Sequence, residues 1–199
     1  IHDGVVITKY DHSQGELPNI RIYEAGHPIP DDNSFAATEQ AIKLVSNLTP
    51  EDLVLFLISG GGSALFEKPL IPKETLEEVT KQLLASGADI VETNTIRKRL
   101  SAVKGGKFAK LCEPAQVFSV VLSDIISDPL DMIASGPAYP DNSTCEQALD
   151  IVRKYNITIS KEVEELLRIE TPDTITNVKT MITGSVTQLC AAAEKTCRE

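Results

Sequence analysis

Three consecutive glycines flanked by serines form the stretch with the clearest chemical potential: Ser59, Gly60, Gly61, Gly62 and Ser63. Glycine lacks Cβ and adopts positive φ, so a ligand can approach its backbone closely. With Ser63 as the N-cap of a following helix, the loop would present free N–H groups and a positive helix dipole to an anion such as phosphate. The alternative is a tight strand-to-helix turn without a ligand. The spacing matches neither G-x-G-x-x-G nor G-x-x-x-x-G-K-[ST], so neither nucleotide fingerprint applies.

A basic segment between Glu92 and Glu113 is the second candidate, because it contains no acidic residue. Its cations are Arg97, Lys98, Arg99, Lys104, Lys107 and Lys110. Asn94, Arg97 and Ser101 share one face if the segment is a continuous helix. The patch is either a solvated helix face or an electropositive lining for a polyanionic small molecule.

Further candidates lie after a second apolar strand, Val117–Leu122. Ligands of open α/β sheets bind outside the carboxyl ends of strands, so Asp124 is placed to hold Mg²⁺ or to accept a substrate proton. A turn or N-cap role explains Asp124 equally well. Ser135-Gly136 precedes a proline in an extended loop whose backbone can contact a ligand. His27 stands in a proline-rich loop, where a turn or surface role is commoner than a catalytic one.

Strands and helices must position these residues. Leu53–Ile58, before the glycines, has the length and uniform apolarity of a strand buried on both faces. Apolar strands alternate with helical segments along the chain, which predicts an α/β fold with a three-layer α/β/α, Rossmann-like arrangement and a mostly parallel sheet. The first two strands, Gly4–Thr8 and Ile20–Glu24, either join this sheet or form an antiparallel hairpin at one edge. Two capping boxes mark helix starts: Thr75 with Glu78, and Ser143 with Glu146.

The composition excludes several classes of protein. At 199 residues the chain is one domain or slightly more, and its net charge of −10 argues against nucleic acid and anionic membranes as partners. No apolar segment is long enough to span a bilayer. The cysteines form no C-x-x-C pair, which favours free thiols in a cytoplasmic protein. The start, Ile1-His2-Asp3, leads almost directly into an apolar run and suggests a piece of a longer chain.

Five phrases occur in order: EAGHPIPD (Glu24–Asp31), LISGGGSAL (Leu57–Leu65), ETNTIRKRLSAVKGG (Glu92–Gly106), LSD (Leu122–Asp124) and IASGP with a following Pro-Asp (Ile133–Asp141). Together they resemble the glycerate 2-kinase family that carries a C-terminal MOFRL domain, whose members are often labelled hydroxypyruvate reductases. The resemblance covers nearly the whole chain. It implies a two-domain protein with its active site in the cleft, of which residues 1–177 form the core of the Rossmann-like domain. Residues 178–199 would be its final strand–helix unit or the start of the connection to the MOFRL domain.

The resemblance also implies the chemistry. The family transfers the γ-phosphoryl group of ATP to the 2-hydroxyl of D-glycerate with Mg²⁺, a reaction that depends mainly on positioning and charge neutralisation. The expected partner is a small-molecule substrate, and a homo-oligomer is compatible with the family. Ser59–Ser63 would bind phosphate. The catalytic residues would be Asp124 (also the Mg²⁺ ligand), Arg97 and Lys104, and the substrate contacts would be Glu92, Asn94, Lys98, Ser135 and Gly136.

Three departures from the family pattern limit this interpretation. A G-K-A phrase with a lysine important to catalysis is missing, as is the MOFRL domain, and Ile125–Pro129 replaces a V-P-G-D-D run that would supply a second acidic ligand. We therefore expect the chain to fold but to be inactive by itself. Two alternatives are a hydroxypyruvate reductase, which no G-x-G-x-x-G supports, and a non-catalytic anion-binding domain.

Overall fold

Strands alternate with helices in the computed structural model, which describes residues 1–123, 125 and 128–198. The strands are β1 (Gly4–Lys9), β2 (Ile20–Ala25), β3 (Leu53–Ile58), β4 (Gln116–Leu122) and β5 (Val178–Gly184). The helices are α1 (Asp32–Val45), α2 (Gly62–Leu65), α3 (Lys73–Ser86), α4 (Ile90–Leu100), α5 (Lys107–Leu111), α6 (Cys145–Lys154), α7 (Lys161–Leu167) and α8 (Val186–Arg198). No helix in these ranges combines the length and apolarity that a bilayer crossing requires.

All strand pairs in the described chain are parallel. β1 pairs with β2 from Gly4 opposite Ile20 to Lys9 opposite Ala25, and β3, β4 and β5 form a second sheet in that order. The α/β class with parallel pairing is therefore confirmed. The antiparallel hairpin is wrong, because the polar connection after β1 returns the chain to the same end before β2 begins.

The two faces of the β3-β4-β5 sheet differ. Val54 and Phe56 of β3 pack into a core around Val103 and Phe108. On the opposite face the leucines of β3 are between 52% and 69% exposed, namely Leu53, Leu55 and Leu57. The prediction of a strand buried on both faces is thus wrong for the described chain. The connections from β3 to β4 and from β4 to β5 step across the sheet in the same direction. Right-handed connections that step in one direction place their helices on the same face of the sheet.

A second hydrophobic core lies between α4 and the helices α3, α6 and α7. Its apolar residues include Leu76, Leu83, Ile96, Leu100, Ile151, Val163 and Leu167. A capping box between Asp89 and Glu92 fixes the start of α4. The two predicted boxes are wrong. Helix α3 begins after Pro72 without a side-chain cap. Helix α6 uses Thr144 with Gln147, one residue later than predicted, because Ser143 instead bonds Asp141.

Candidate functional site

The glycine loop, residues Ser59–Ser63, lies at the carboxyl end of β3. Gly61, at φ +89°, is the N-cap of α2, a helix of only four residues. The prediction that Ser63 is the N-cap is therefore wrong, because Ser63 already lies inside that turn. The first helical bond is donated by the amide of Ala64 to the Gly61 carbonyl, so the amides before it have no helical acceptor. They belong to residues that are exposed or half-buried.

His27 lies against this loop. A Cβ built on Gly61 would stand 2.9 Å from Cδ2 and from Nε2 of the His27 ring. Two features therefore require glycine at position 61. The backbone is in the left-handed region, and the His27 imidazole occupies the space that a side chain would need. His27 itself is exposed, so the ring borders both the loop and solvent.

A strained segment packs against the other side of the loop. Ala134, Ser135 and Gly136 are consecutive residues in the left-handed region, with φ of 51°, 61° and 64°. For residues that carry Cβ this conformation costs about 1–2 kcal/mol each. Backbone bonds hold the segment: Gly105 N donates to Ser135 O at 3.0 Å. A Cβ on Gly62 would stand 2.6 Å from Ala134 Cβ, so the glycine permits the two segments to touch.

A chain of buried hydrogen bonds joins these segments to α4. Ser135 Oγ donates to Asn94 Oδ1 at 3.2 Å, and it therefore accepts from Ser63 Oγ, also at 3.2 Å. Asn94 Nδ2 donates to the sulfur of Met132 at 3.2 Å. Ser135 and Asn94 are 0% and 4% exposed. In a low-dielectric interior such a network fixes its members strongly.

Two cations bind the carbonyl side of the loop. Lys104 Nζ donates to Ser63 O at 2.8 Å and to Phe66 O at 3.3 Å, and an Arg97 amino group donates to Ser63 O at 3.4 Å. Lys104 is fully buried, and this burial lowers the pKa of its ammonium group to about 8. Glu67 lies beside both cations, with Oε2 at 3.4 Å from Lys104 and 3.8 Å from Arg97.

Lys98 and Glu92 project from a different side of α4, into a cavity of about 520 Å³ between α4 and α6. Lys98 Nζ stands 3.2 Å from Asp141 and 3.4 Å from Asp131. Hydrogen bonds from Lys154 and then from the Tyr155 hydroxyl lower the pKa of Glu92 to about 2. We name this region the α4–α6 cavity. Its acidic lining exceeds its basic lining in charge.

The structure thus divides the sequence-predicted residues into two groups. Ser63, Asn94, Arg97, Lys104 and Ser135 come together at the glycine loop, with Gly136 next to Ser135. Glu92 and Lys98 instead line the α4–α6 cavity, although Lys98 lies one helical turn after Asn94 on α4. The solvated-face alternative for the basic segment is wrong for its buried members, which are 3%, 1% and 0% exposed: Lys98, Arg99 and Lys104.

Asp124, the predicted catalytic and Mg²⁺-binding residue, lies outside the described residues. Within the described ranges no group of three or more histidine, cysteine, aspartate or glutamate side chains could hold a metal ion.

Two buried acids were not singled out from the sequence. Glu67 and Asp141 are 1% and 2% exposed and compensate most of the buried cations. Asp141 accepts from Thr171 and Ser143 and lies 3.9 Å from Arg99. The basic segment between Glu92 and Glu113 was a signal for such acids. If its cations are buried, acids from elsewhere in the chain must compensate them.

With this geometry in hand, comparison with known proteins places the chain in a family. Residues 1–168 match the family model described as a domain of unknown function, DUF4147, and the chain belongs to that family. A D-glycerate 2-kinase from Thermotoga maritima is 49% identical over 201 residues, which cover 100% of this chain and 48% of the relative. A protein from Agrobacterium vitis that is named as a hydroxypyruvate reductase is 44% identical over 168 residues, covering 82% of this chain and 43% of the relative.

A solved structure agrees with the fold. The crystal structure of a glycerate kinase from Thermotoga maritima superposes with a TM-score of 0.95 at 49% identity, over 98% of this chain and 48% of that one. The chain therefore spans about half the length of the relatives that it matches. The resemblance recognised in the sequence, to glycerate 2-kinases and proteins labelled hydroxypyruvate reductases, is confirmed.

Proposed function

We propose that this chain is the nucleotide- and substrate-binding core of a glycerate 2-kinase, which phosphorylates the 2-hydroxyl of D-glycerate with ATP as part of a longer protein. The observation that carries the proposal is the glycine loop itself. Its residues are exposed or half-buried and the amides before Ala64 have no helical acceptor, while Ser135, Arg97 and Lys104 bond its Ser63. Phosphoryl transfer needs this combination of rigid donors and nearby positive charge.

Each group at the loop has a proposed task. The backbone N–H groups of Gly60–Ser63 would donate to oxygens of a nucleotide phosphate. The guanidinium of Arg97, 18% exposed, would offset part of the phosphate charge from beside the loop. Lys104 is fully buried and bonded to carbonyls, so its proposed role is to hold Ser63 and to add positive potential without touching the substrate.

The proposed glycerate site consists of residues next to the glycine loop. Ser135 and Gly136 border the loop and remain proposed substrate contacts, with Asn94 holding Ser135. Glu92 and Lys98 line the α4–α6 cavity, where both charges already have partners. An acid-rich lining does not favour the glycerate carboxylate. A direct contact of Glu92 or Lys98 with glycerate therefore has less electrostatic support than contacts of Ser135 and Gly136.

Four finer expectations belong to the same proposal. The longer protein would use Mg²⁺, with Asp124 as one ligand, and a MOFRL domain would supply the other wall of the cleft. The enzyme would act in the cytoplasm, and a homo-oligomer is compatible with it.

The deciding experiment is an assay of the full-length protein with ATP, Mg²⁺ and a panel of 2-hydroxy acids. We expect D-glycerate to be phosphorylated, and ³¹P–¹H correlation spectroscopy to place the phosphate on the 2-oxygen. The 199-residue chain alone should show no turnover. Measurable kinase activity of the isolated chain would contradict that second expectation.

A second candidate, reduction of hydroxypyruvate, is favoured by the name of the Agrobacterium relative alone. The same preparation should be assayed for oxidation of NADH and NADPH with hydroxypyruvate, which we expect to be absent. Anion binding that is independent of Mg²⁺, with neither activity, would instead indicate a non-catalytic domain.

A further inference from the structure

We propose that Glu67 is a positioning residue of the glycine loop: its buried carboxylate is the counter-ion that compensates Lys104 and Arg97 and keeps them directed at the Ser63 carbonyl. The inference rests on the proposed function, because it assumes that the loop binds the phosphate of a nucleotide. It assigns a role to a residue in the segment after α2 that the sequence describes only as a connection.

The surroundings of Glu67 carry the proposal. The residue is 1% exposed, and within the described chain neither carboxylate oxygen accepts a hydrogen bond. Its compensation is therefore electrostatic, from Lys104 at 3.4 Å and Arg97 at 3.8 Å. A carboxylate that is buried without hydrogen bonds is stable only beside positive charge, and a buried ammonium needs a negative partner for the same reason.

The groups around Lys104 define what the loss of Glu67 would do. Glu67 faces Lys104 from the segment after α2, Arg97 from α4, and the Ser63 and Phe66 carbonyls from α2 and its end. Lys107 of α5 is directed elsewhere, to the carbonyls at the end of α4. Burial lowers the pKa of Lys104 and Arg97 lowers it further, whereas Glu67 raises it.

Removing the Glu67 charge therefore leaves burial and Arg97, which favour the neutral amine, opposed only by the two carbonyl acceptors. Lys104 would lose its proton at lower pH, and its own positive charge beneath the loop would then depend on pH in the physiological range, while Arg97 stays charged. Phosphate binding at the loop should then become sensitive to pH near neutrality. A residue with a packing role alone would not produce that dependence.

The test compares Glu67→Gln with Glu113→Gln in the full-length protein. Glu113 is a matched control, since it also pairs with a lysine, Lys110 at 3.0 Å, but on the surface. The titration of Lys104 is followed by NMR of ¹³Cε-labelled lysine, with its signal assigned by its loss in Lys104→Met. We expect the midpoint to fall by about one pH unit or more in Glu67→Gln and to stay unchanged in Glu113→Gln.

MgATP affinity provides the functional readout of the same variants. Glu67→Gln should bind MgATP about tenfold more weakly at pH 7.5 than at pH 6, where Lys104 is again charged, whereas the wild type should show no such difference. An unchanged Lys104 midpoint would overturn the inference. A shifted midpoint in a protein that binds no MgATP at any pH would support the counter-ion role and reject the proposed function, so the two failures are distinguishable.

A double variant keeps the inference testable if Glu67→Gln does not fold. Glu67→Gln/Lys104→Met removes both partners, and replacing a buried ion pair by uncharged groups of similar volume is often neutral for stability. We expect the double variant to melt close to the wild type and above Glu67→Gln. If the double variant also fails to fold, removing Lys104 does not relieve the loss of Glu67 and the inference is wrong.

Discussion

Helix α4 presents charged residues to two environments that treat them differently. At the glycine loop, Arg97 and the nearby Lys104 share the single carboxylate of Glu67. At the α4–α6 cavity, Lys98 alone lies between Asp131 and Asp141. One basic segment thus yields a side with surplus positive charge and a side where acids match or exceed the cations.

This difference shows that the net charge of a sequence segment does not determine the net charge of the site to which its residues contribute. The surplus positive charge at the loop favours phosphate binding, because the single carboxylate there compensates only one of the two cations. Compensated charge at the cavity leaves no free partner for a ligand, but removing one member of a buried pair strongly destabilises the fold. Mutations should therefore affect ligand binding on the first side and stability on the second.

The largest expected effect is on the cavity side. Asp141→Asn would leave Lys98 and Arg99 buried without their shared acid, so we expect the free energy of unfolding to fall by about 3–5 kcal/mol. Urea denaturation measures this loss. Asp150→Asn is the control, since Asp150 forms an exposed pair with Arg153 and its loss should cost under about 1 kcal/mol. Equal losses in the two variants would remove the contrast between buried and surface pairs.

The next effect separates the two sides by ligand binding. Arg97→Ala removes a charge at the loop, and one charge-assisted hydrogen bond contributes about 1.5–3 kcal/mol. We expect MgATP affinity of the full-length protein to fall accordingly in calorimetric titrations. Arg153→Ala, at an exposed position of α6, should bind as the wild type does. Normal binding by Arg97→Ala would return the loop side to a purely structural role.

A smaller effect concerns the geometry of the loop. Gly61→Val and Gly87→Val both place a Cβ at positive φ, which costs about 1–2 kcal/mol of stability. A Cβ at Gly61 meets the His27 ring, whereas none of the neighbouring heavy atoms lies within 4 Å at Gly87. We expect only Gly61→Val to lose nucleotide affinity. The same affinity in two folded variants would remove the loop from the binding site.

The smallest effect is the pH response of Glu92. Its pKa is lowered from an ordinary value of 4.5 to about 2 by Lys154 and Tyr155, so the pair stabilises the fold above pH 4.5 and loses this contribution as the pH falls toward 2. Glu92→Gln should flatten the acid side of the stability profile in that window. Its MgATP affinity should not change. A loss of affinity in this variant would place the substrate in the cavity.

The sequence predicts the elements near the loop better than their burial. Apolar runs and a glycine triplet are local signals, and β3 and β4 lie within about a residue of their predicted bounds. The exposure of the β3 leucines was not predicted. Burial of that face requires a second helical layer, and such a layer is formed by residues far from β3 in the sequence. The cap of α6 was misplaced by one residue, because Ser143 donates to the nearby Asp141 and accepts from the distant Arg99 instead of capping the helix.

By itself the sequence determined the α/β class, the family and the loop that the proposed chemistry requires, since these depend on local composition and on the order of short phrases. Only the tertiary structure decided which cations share a site. Contacts such as Lys104 with Glu67 and Lys98 with Asp141 join distant parts of the chain. The physical reason is that a charge is assigned its role by the dielectric and the partners around it, and folding alone brings those together.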